Sequence, residues 1–182
     1  AINHHNINEI ATLIKQLSVE NDEHQRQSAA KRLGEIAVGN SNAIQALVNL
    51  LRSSSDDEIL WSAVESLRKI DPSNPATGIR RVKLVDLGMQ IAGNAVALAV
   101  ALVQKVNDEV GVLVQVYPTD SEDYLPTDLK LILLSESGII LREVITRRAD
   151  VCLQLKFSGE PGEKFSIKLA LEKANIIENF VI

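Results

Sequence analysis

The chain has 182 residues, 46% of them hydrophobic and only 3% aromatic, so Leu, Ile, Val and Ala must fill its core. That length allows one large domain or two small ones. Residues 1–75 hold 7 basic and 10 acidic groups and residues 76–182 hold 12 and 14, giving −5 in all; neither half is basic, which speaks against nucleic acid or an anionic membrane as partner.

The chain opens on Ala rather than Met, which fits a C-terminal piece of a longer protein, and its first residues have no signal-peptide pattern. His4, His5 and His24 are the only histidines. Two adjacent histidines near a terminus do not make the converging ligand set that a metal needs, so no metal site is expected.

The next stretch repeats itself. At an offset of 34 residues, Ile10 falls on Ile44, Leu13 on Leu47, Leu17 on Leu51, Asp22 on Asp56, Ala29 on Ala63, Leu33 on Leu67 and Ile36 on Ile70. Most matches are apolar and stand at helical spacing, and a period of this size marks stacked helical hairpins. Residues 1–75 therefore read as a helical part with two repeats, 6–39 and 40–73. Asn8 and Asn42 are expected to cap the first helix of each repeat, and Ser55-Asp-Asp-Glu58 reads as a capping box. Gly39-Asn40 ends one hairpin, and Asp71-Pro-Ser-Asn-Pro75 ends the next.

Within the second repeat, Ile59-Leu60-Trp61 replaces the polar Gln25-Arg26-Gln27 of the first. One reading is local variation of the core. The other makes Ile59, Leu60 and Trp61 a domain-interface or partner-binding surface, because stacked repeats expose an apolar end unless something covers it.

From about residue 79 the period changes to two, which predicts strands. Eight are expected, at 80–90, 95–105, 109–117, 128–135, 139–147, 150–157, 164–171 and 175–182, in an antiparallel β-sandwich spanning 79–182. The Ala-rich stretch before residue 105 competes as helix, but the β-branched Val96, Val100 and Val103 favour strand. Its apolar run from Ala95 to Val103 is nine residues, well under the roughly 20 that cross a bilayer. Gly93-Asn94, Asn107-Asp108, Pro118 to Pro126, Ser137-Gly138 and Gly159-Glu-Pro-Gly162 supply the turns.

Catalytic chemistry is not legible. The only cysteine, Cys152, excludes an intrachain disulfide and fits a reducing, cytoplasmic setting; in the alternating run Val151–Phe157 it reads as a strand residue. Asp120-Ser-Glu-Asp123 lacks the Gly and terminal Glu of a calcium loop and reads as a solvated acidic loop. Ser158-Gly-Glu-Pro-Gly-Glu-Lys164 lacks the Gly-Lys-Ser/Thr of a phosphate loop and reads as a hairpin turn. No cofactor is expected.

Two resemblances add to this. Ala29-Ala-Lys-Arg-Leu-Gly-Glu-Ile36, followed by Gly39-Asn-Ser-Asn-Ala-Ile-Gln-Ala-Leu47, resembles HEAT repeats of the phycobilisome-lyase type, blocks of which also end large NACHT-type signalling ATPases. Val85-Asp-Leu-Gly-Met89, Leu113-Val-Gln-Val-Tyr-Pro-Thr119, Tyr124-Leu-Pro126, Phe157-Ser-Gly-Glu-Pro-Gly-Glu-Lys-Phe-Ser166 and Glu178-Asn-Phe-Val-Ile182 resemble the C-terminal part of a cyanobacterial family of unknown function. The first resemblance implies partner binding, the second a regulatory setting, and neither implies site residues. The fold expected is α+β in two parts, helical hairpins and then a sandwich. The function expected is a non-catalytic module that binds a protein partner, the C-terminal part of a larger signalling protein. The alternative is a sandwich that binds a small ligand or carbohydrate.

Overall fold

Side-chain caps fix where the helices begin. Asp22 precedes α2 (Glu23–Ile36) and its carboxylate accepts from the Gln25 amide at 2.8 Å. Asn40 precedes α3 (Ser41–Ser53) and accepts from Ala43 at 3.0 Å, while Asp56 precedes α4 (Asp57–Ile70) and accepts from Ile59 at 2.9 Å. Each cap satisfies an amide that the first turn leaves without an intrahelical partner. The expected caps are corrected here. Asn42 lies inside α3 and Asn8 inside α1 (His4–Gln16). Ser55 does not cap α4, because the extended backbone that leads into the helix is that of Asp56.

The computed structural model describes residues 4–86, 95–119 and 122–182, apart from the side chains of His4, His5 and Asp86. Leu87-Gly-Met89, the Gly93-Asn94 turn, the last residues of the expected strand 80–90 and the Asp120-Ser121 half of the acidic loop lie outside the described residues. The chain divides into two compact units, one of Ala1–Gly78 with Val103–Asn107 and one of Ile79–Leu102 with Asp108–Ile182.

In the first unit α2 packs on α4, α3 on α4 and α1 on α2. Leu33, Leu47, Leu60, Ala63, Val64 and Leu67 are fully enclosed. A β-carbon placed on Gly34 would stand 2.7 Å from Ser66 Oγ and 2.9 Å from Ser66 Cα. Glycine at 34 is thus what lets α2 and α4 approach so closely. Gly39, with φ of 70°, turns the chain between α2 and α3, and its N–H donates to the Ile70 carbonyl at 3.1 Å. On the surface Arg32 donates to Glu9 at 2.9 Å and to Glu35 at 3.0 Å, and these bonds, Glu9's first, hold the guanidinium above its ordinary pKa. Lys105 Nζ stands 3.0 Å from Asp57 Oδ1, so the segment 103–107 adds an ion pair to this unit. After α4, a 3-10 turn at Pro75–Thr77 ends the helical stretch.

Among the described residues the second unit has eight strands: β1 (Ile79–Asp86), β2 (Ala95–Gln104), β3 (Val110–Pro118), β4 (Lys130–Ser135), β5 (Ile140–Ile145), β6 (Leu153–Gly159), β7 (Lys164–Leu171) and β8 (Ala174–Val181). They form two four-stranded sheets, in the orders β1-β2-β3-β6 and β5-β4-β7-β8, and the pairs β1-β2, β3-β6, β4-β5, β4-β7 and β7-β8 are antiparallel. Four helices and two sheets among the described residues make the protein α+β. The Ala-rich stretch is strand, paired with β1 from Ile79↔Leu102 to Asp86↔Ala95. Val96, Leu98 and Val100 of β2 and Val112, Val114 and Val116 of β3 share one core with Leu131, Leu133, Ile167 and Leu169 of the other sheet. The alternation predicts one buried face, yet in β2 and β3 the other face is buried too, at Ala99, Ala101, Leu113 and Gln115. Those positions are mostly small or apolar, so period alone understates their burial.

The strand expected at 150–157 begins later, at Leu153. Asp150 is held in a turn instead, its carboxylate accepting from the Arg147 amide and its carbonyl from Leu125 at 2.8 Å. Val151 is therefore exposed and Cys152 is a half-buried residue just before β6. The buried Thr146 hydroxyl donates to the Pro126 carbonyl and accepts from the Leu129 amide, which anchors the long connection from β3 to β4. Leu125 and Leu129 enter the core from that connection.

Candidate functional site

Ile59, Leu60 and Trp61 fall in the first turns of α4 and are 1%, 0% and 1% exposed, so none offers surface to a partner of the folded chain. Trp61 Nε1 is buried without a hydrogen-bond partner among the described residues. The matching Gln25-Arg26-Gln27 of α2 are exposed or half-buried; Arg26 donates to the Leu17 carbonyl and Gln27 to Ser62 Oγ. The polar-to-apolar change in the sequence thus coincides with a change from surface to interior.

A groove of about 640 Å³ lies in the second unit. Leu133, Leu141, Phe157, Phe165 and Ile182 give it an apolar lining. Phe157 and Phe165 meet edge to face with centroids 5.2 Å apart, and Phe165 stacks on Phe180 at 5.3 Å, so the aromatic wall is fixed by packing. The β6–β7 turn and the end of the chain are tied together: Gly162 N–H donates to the Ile182 carbonyl at 2.7 Å, and Ile182 N–H to the Glu163 carbonyl at 2.9 Å. The Ile182 side chain packs closely over Gly159, where a β-carbon would press on the movable ends of the Ile182 and Glu163 side chains.

Charged groups rim the groove. Lys164 Nζ stands 3.5 Å from Glu136 Oε1 with both side chains well exposed, a pair worth about 0–1 kcal/mol. Glu163 accepts from the Glu160 amide at 2.9 Å. Ser135 and Ser137 hydroxyls lie 3.0 Å apart, with no imidazole or thiol among the groove's lining residues to activate them. The lining mixes five apolar side chains with serines and charged residues, which can orient a bound group but offer no catalytic constellation.

Beside the groove runs β5. Ile139, Ile140 and Leu141 are 64%, 59% and 56% exposed, and β5 is the outermost strand of its sheet. This run is not legible from the strand period. Its signal was the run Ile139-Ile-Leu141, where two adjacent residues cannot both face a core.

Other residues weighed from the sequence are scattered. His24 is exposed on α2, and Cys152 is remote from it in sequence and in the other unit. Tyr124 is exposed, while Tyr117 is half-buried with its hydroxyl donating to Gln115. Among the described residues no three His, Cys, Asp or Glu side chains group closely enough to hold a metal, and no helix is long and apolar enough to cross a membrane.

No curated protein and no solved structure matches the chain. A family model described as a protein of unknown function, DUF1822, matches residues 4–181 and so runs through the elements of both units. The chain belongs to the DUF1822 family.

Proposed function

We propose that this protein is a non-catalytic interaction or regulatory module that recognises a protein partner through its β unit, as part of a larger signalling protein. The fold reading that goes with it is a pair of HEAT-like hairpins joined to an antiparallel β-sandwich. Supporting the first half is the offset of 34 residues that carries Asp22 onto Asp56, both of them helix caps. Supporting the second is the single core shared by two four-stranded sheets.

The observation that carries the functional reading is the apolar groove lying beside exposed Ile139, Ile140 and Leu141. Contiguous exposed apolar residues beside a recess are a surface that a binding partner would cover. The test is proximity labelling with the full chain fused to a biotin ligase, in the cells that make it, beside a Leu141→Asp variant. A reproducible set of proteins labelled by the parent and depleted with the variant is expected. Identical labelling by the two would overturn the reading. The groove's volume also falls in the range of small-molecule sites, about 300–1,000 Å³. A thermal-shift screen with sugars and metabolites addresses that second reading, and stabilisation that Phe157→Ser abolishes would favour it.

A further inference from the structure

We propose that charged side chains pointing inward from the edge strands bar a further strand from adding to either sheet, and so keep copies of this chain from associating edge to edge. The guards are Arg81 and Lys83 on β1, Arg142 on β5 and Glu178 on β8. They act whether or not a partner occupies the groove.

An edge strand leaves the N–H and C=O groups of alternate residues without a neighbouring strand, which invites pairing with another chain. β1 is such an edge, the first strand in the order β1-β2-β3-β6. It runs for eight residues, with Val82 and Leu84 exposed along it. Length and apolar surface of that kind favour edge pairing unless something opposes it. The register shows what does. Directly opposed residues share a face of the sheet. Arg81 and Lys83 stand opposite Val100 and Leu98, two residues of the core that both sheets share. Both basic side chains therefore leave the strand on its core side, the side of the buried Val85.

The other edges follow the same rule. Arg142 of β5 is opposite Leu133 and Glu178 of β8 is opposite Ile167, both of them core residues. The inward groups reach across to the facing sheet. Lys83 Nζ donates to Glu178 Oε1 and joins the edges β1 and β8. Arg142 Nη1 donates to the Lys156 carbonyl at 2.6 Å, which takes up an acceptor of the edge strand β6. On the central strands the core-facing positions are apolar, as at Leu98 of β2, Val114 of β3, Leu131 of β4 and Ile167 of β7. Among the described strand residues, inward charge is thus confined to the edges. A further strand would extend the sheet over such a group and draw its charge out of water, a cost that an apolar residue there would not impose. The Lys83–Glu178 pair adds little to stability, because the lysine is well exposed. Its inward placement, more than its bond, is what opposes pairing.

The experiment follows self-association of the full chain by size exclusion with light scattering over a range of concentrations, with a far-UV melt for each variant. Arg81→Val together with Lys83→Val should bring association to a protein concentration about tenfold lower than the parent needs, the effect of sparing one charge its desolvation. Amide hydrogen exchange of the associated form should show new protection at 79–85. Arg80→Val removes a charge from the outer side of the same strand, opposite Ala101, and should behave as the parent does. Lys83→Glu breaks the bond to Glu178 but keeps an inward charge, so it too should leave association unchanged. Equal association by the inner and outer variants would mean that net charge, whatever its direction, keeps copies apart, and would overturn the proposal. So would new protection away from β1, or a double variant that melts with the parent and associates no more readily. If the double variant unfolds, Lys83→Met keeps the stem without the charge and is judged by the same outcomes.

Discussion

Helix α4 and strand β5 carry similar chemistry and put it to different use. Nine of the 14 residues of α4 are buried, Trp61 among them, while none of the six residues of β5 is, although Ile140, Leu141, Val144 and Ile145 are as apolar as anything in α4. Burying such side chains is the main favourable term in folding, at about 25 cal/mol per Å² of apolar surface. The helix spends its apolar residues on stability and the strand holds them at the surface. Substitutions in the two elements should therefore affect different observables.

The largest effect should come from removing the β unit altogether. A fragment of residues 1–76 keeps the four helices but loses Lys105 and the rest of the segment 103–107 that belongs to the same compact unit. Two helical hairpins enclose little core, and about three such repeats are normally needed for independent stability. The fragment should give a shallow, non-cooperative melt by far-UV circular dichroism. A sharp two-state transition would show that the helical unit stands alone.

Next is Trp61. Truncation to Ala should cost about 3–5 kcal/mol in urea unfolding, the range for a fully enclosed Trp. Trp61→Phe separates the ring from its N–H. That N–H is buried without a partner among the described residues, and an orphaned donor costs about 1–3 kcal/mol. Phe removes the penalty while keeping most of the ring, so it should cost less than half as much as Ala. Trp61 fluorescence should be blue-shifted and resist iodide. Equal losses for Phe and Ala would mean that the N–H does have a partner.

Gly34→Ala ranks third. Ala favours helix over Gly by about 1 kcal/mol. The new β-carbon, however, would meet the backbone of Ser66 at 2.9 Å, a place that moves only if α2 and α4 separate. Overpacking of this kind costs about 1–3 kcal/mol, so a net loss is expected. Ser66→Gly in the same chain should recover part of it, a non-additivity that a double-mutant cycle reads directly. A more stable Gly34→Ala protein would show that the helices yield easily.

These residues show why parts of the molecule were legible and others were not. Leu33, Leu67, Val112 and Ile167 announce themselves through period, because one face of an element must be apolar wherever a core exists. The Asp22 and Asp56 caps share the offset of 34 residues, but Asn42 and Ser55 have equally suitable side chains, and only the backbone leading into each helix decides between neighbours. The start of β6 was obscured because Val151 and Cys152 continue an alternation that the Asp150 turn interrupts. Gly34 gives no signal in the sequence beyond being glycine in a helix. The groove was invisible for a different reason, since Leu141, Phe157 and Ile182 converge only when two sheets and the end of the chain are brought together.

The two matching caps compare the repeats with each other. The bond at Asp56 is half-buried and that at Asp22 exposed. Asp56→Ala should cost about 1–2 kcal/mol and Asp22→Ala about 0.5–1 kcal/mol, the two ends of the usual capping range. A costlier Asp22→Ala would reverse the order of local stability between α2 and α4.

The smallest effect is expected where the comparison began, on β5. Ile140 is 59% exposed, opposite Leu134 across the shifted register. Ile140→Thr keeps a β-branched side chain suited to a strand and removes apolar surface that water already reaches. Surface changes of this kind stay within about 0.5 kcal/mol. The variant should thus melt with the parent while thinning the set of proteins labelled by the full chain, because Ile140 belongs to the exposed apolar run proposed to meet a partner. A loss of about 1.5 kcal/mol or more would place Ile140 among the residues that hold the sheet together. The apolar residues of β5 would then serve the fold, as those of α4 do, and would not be held for a partner.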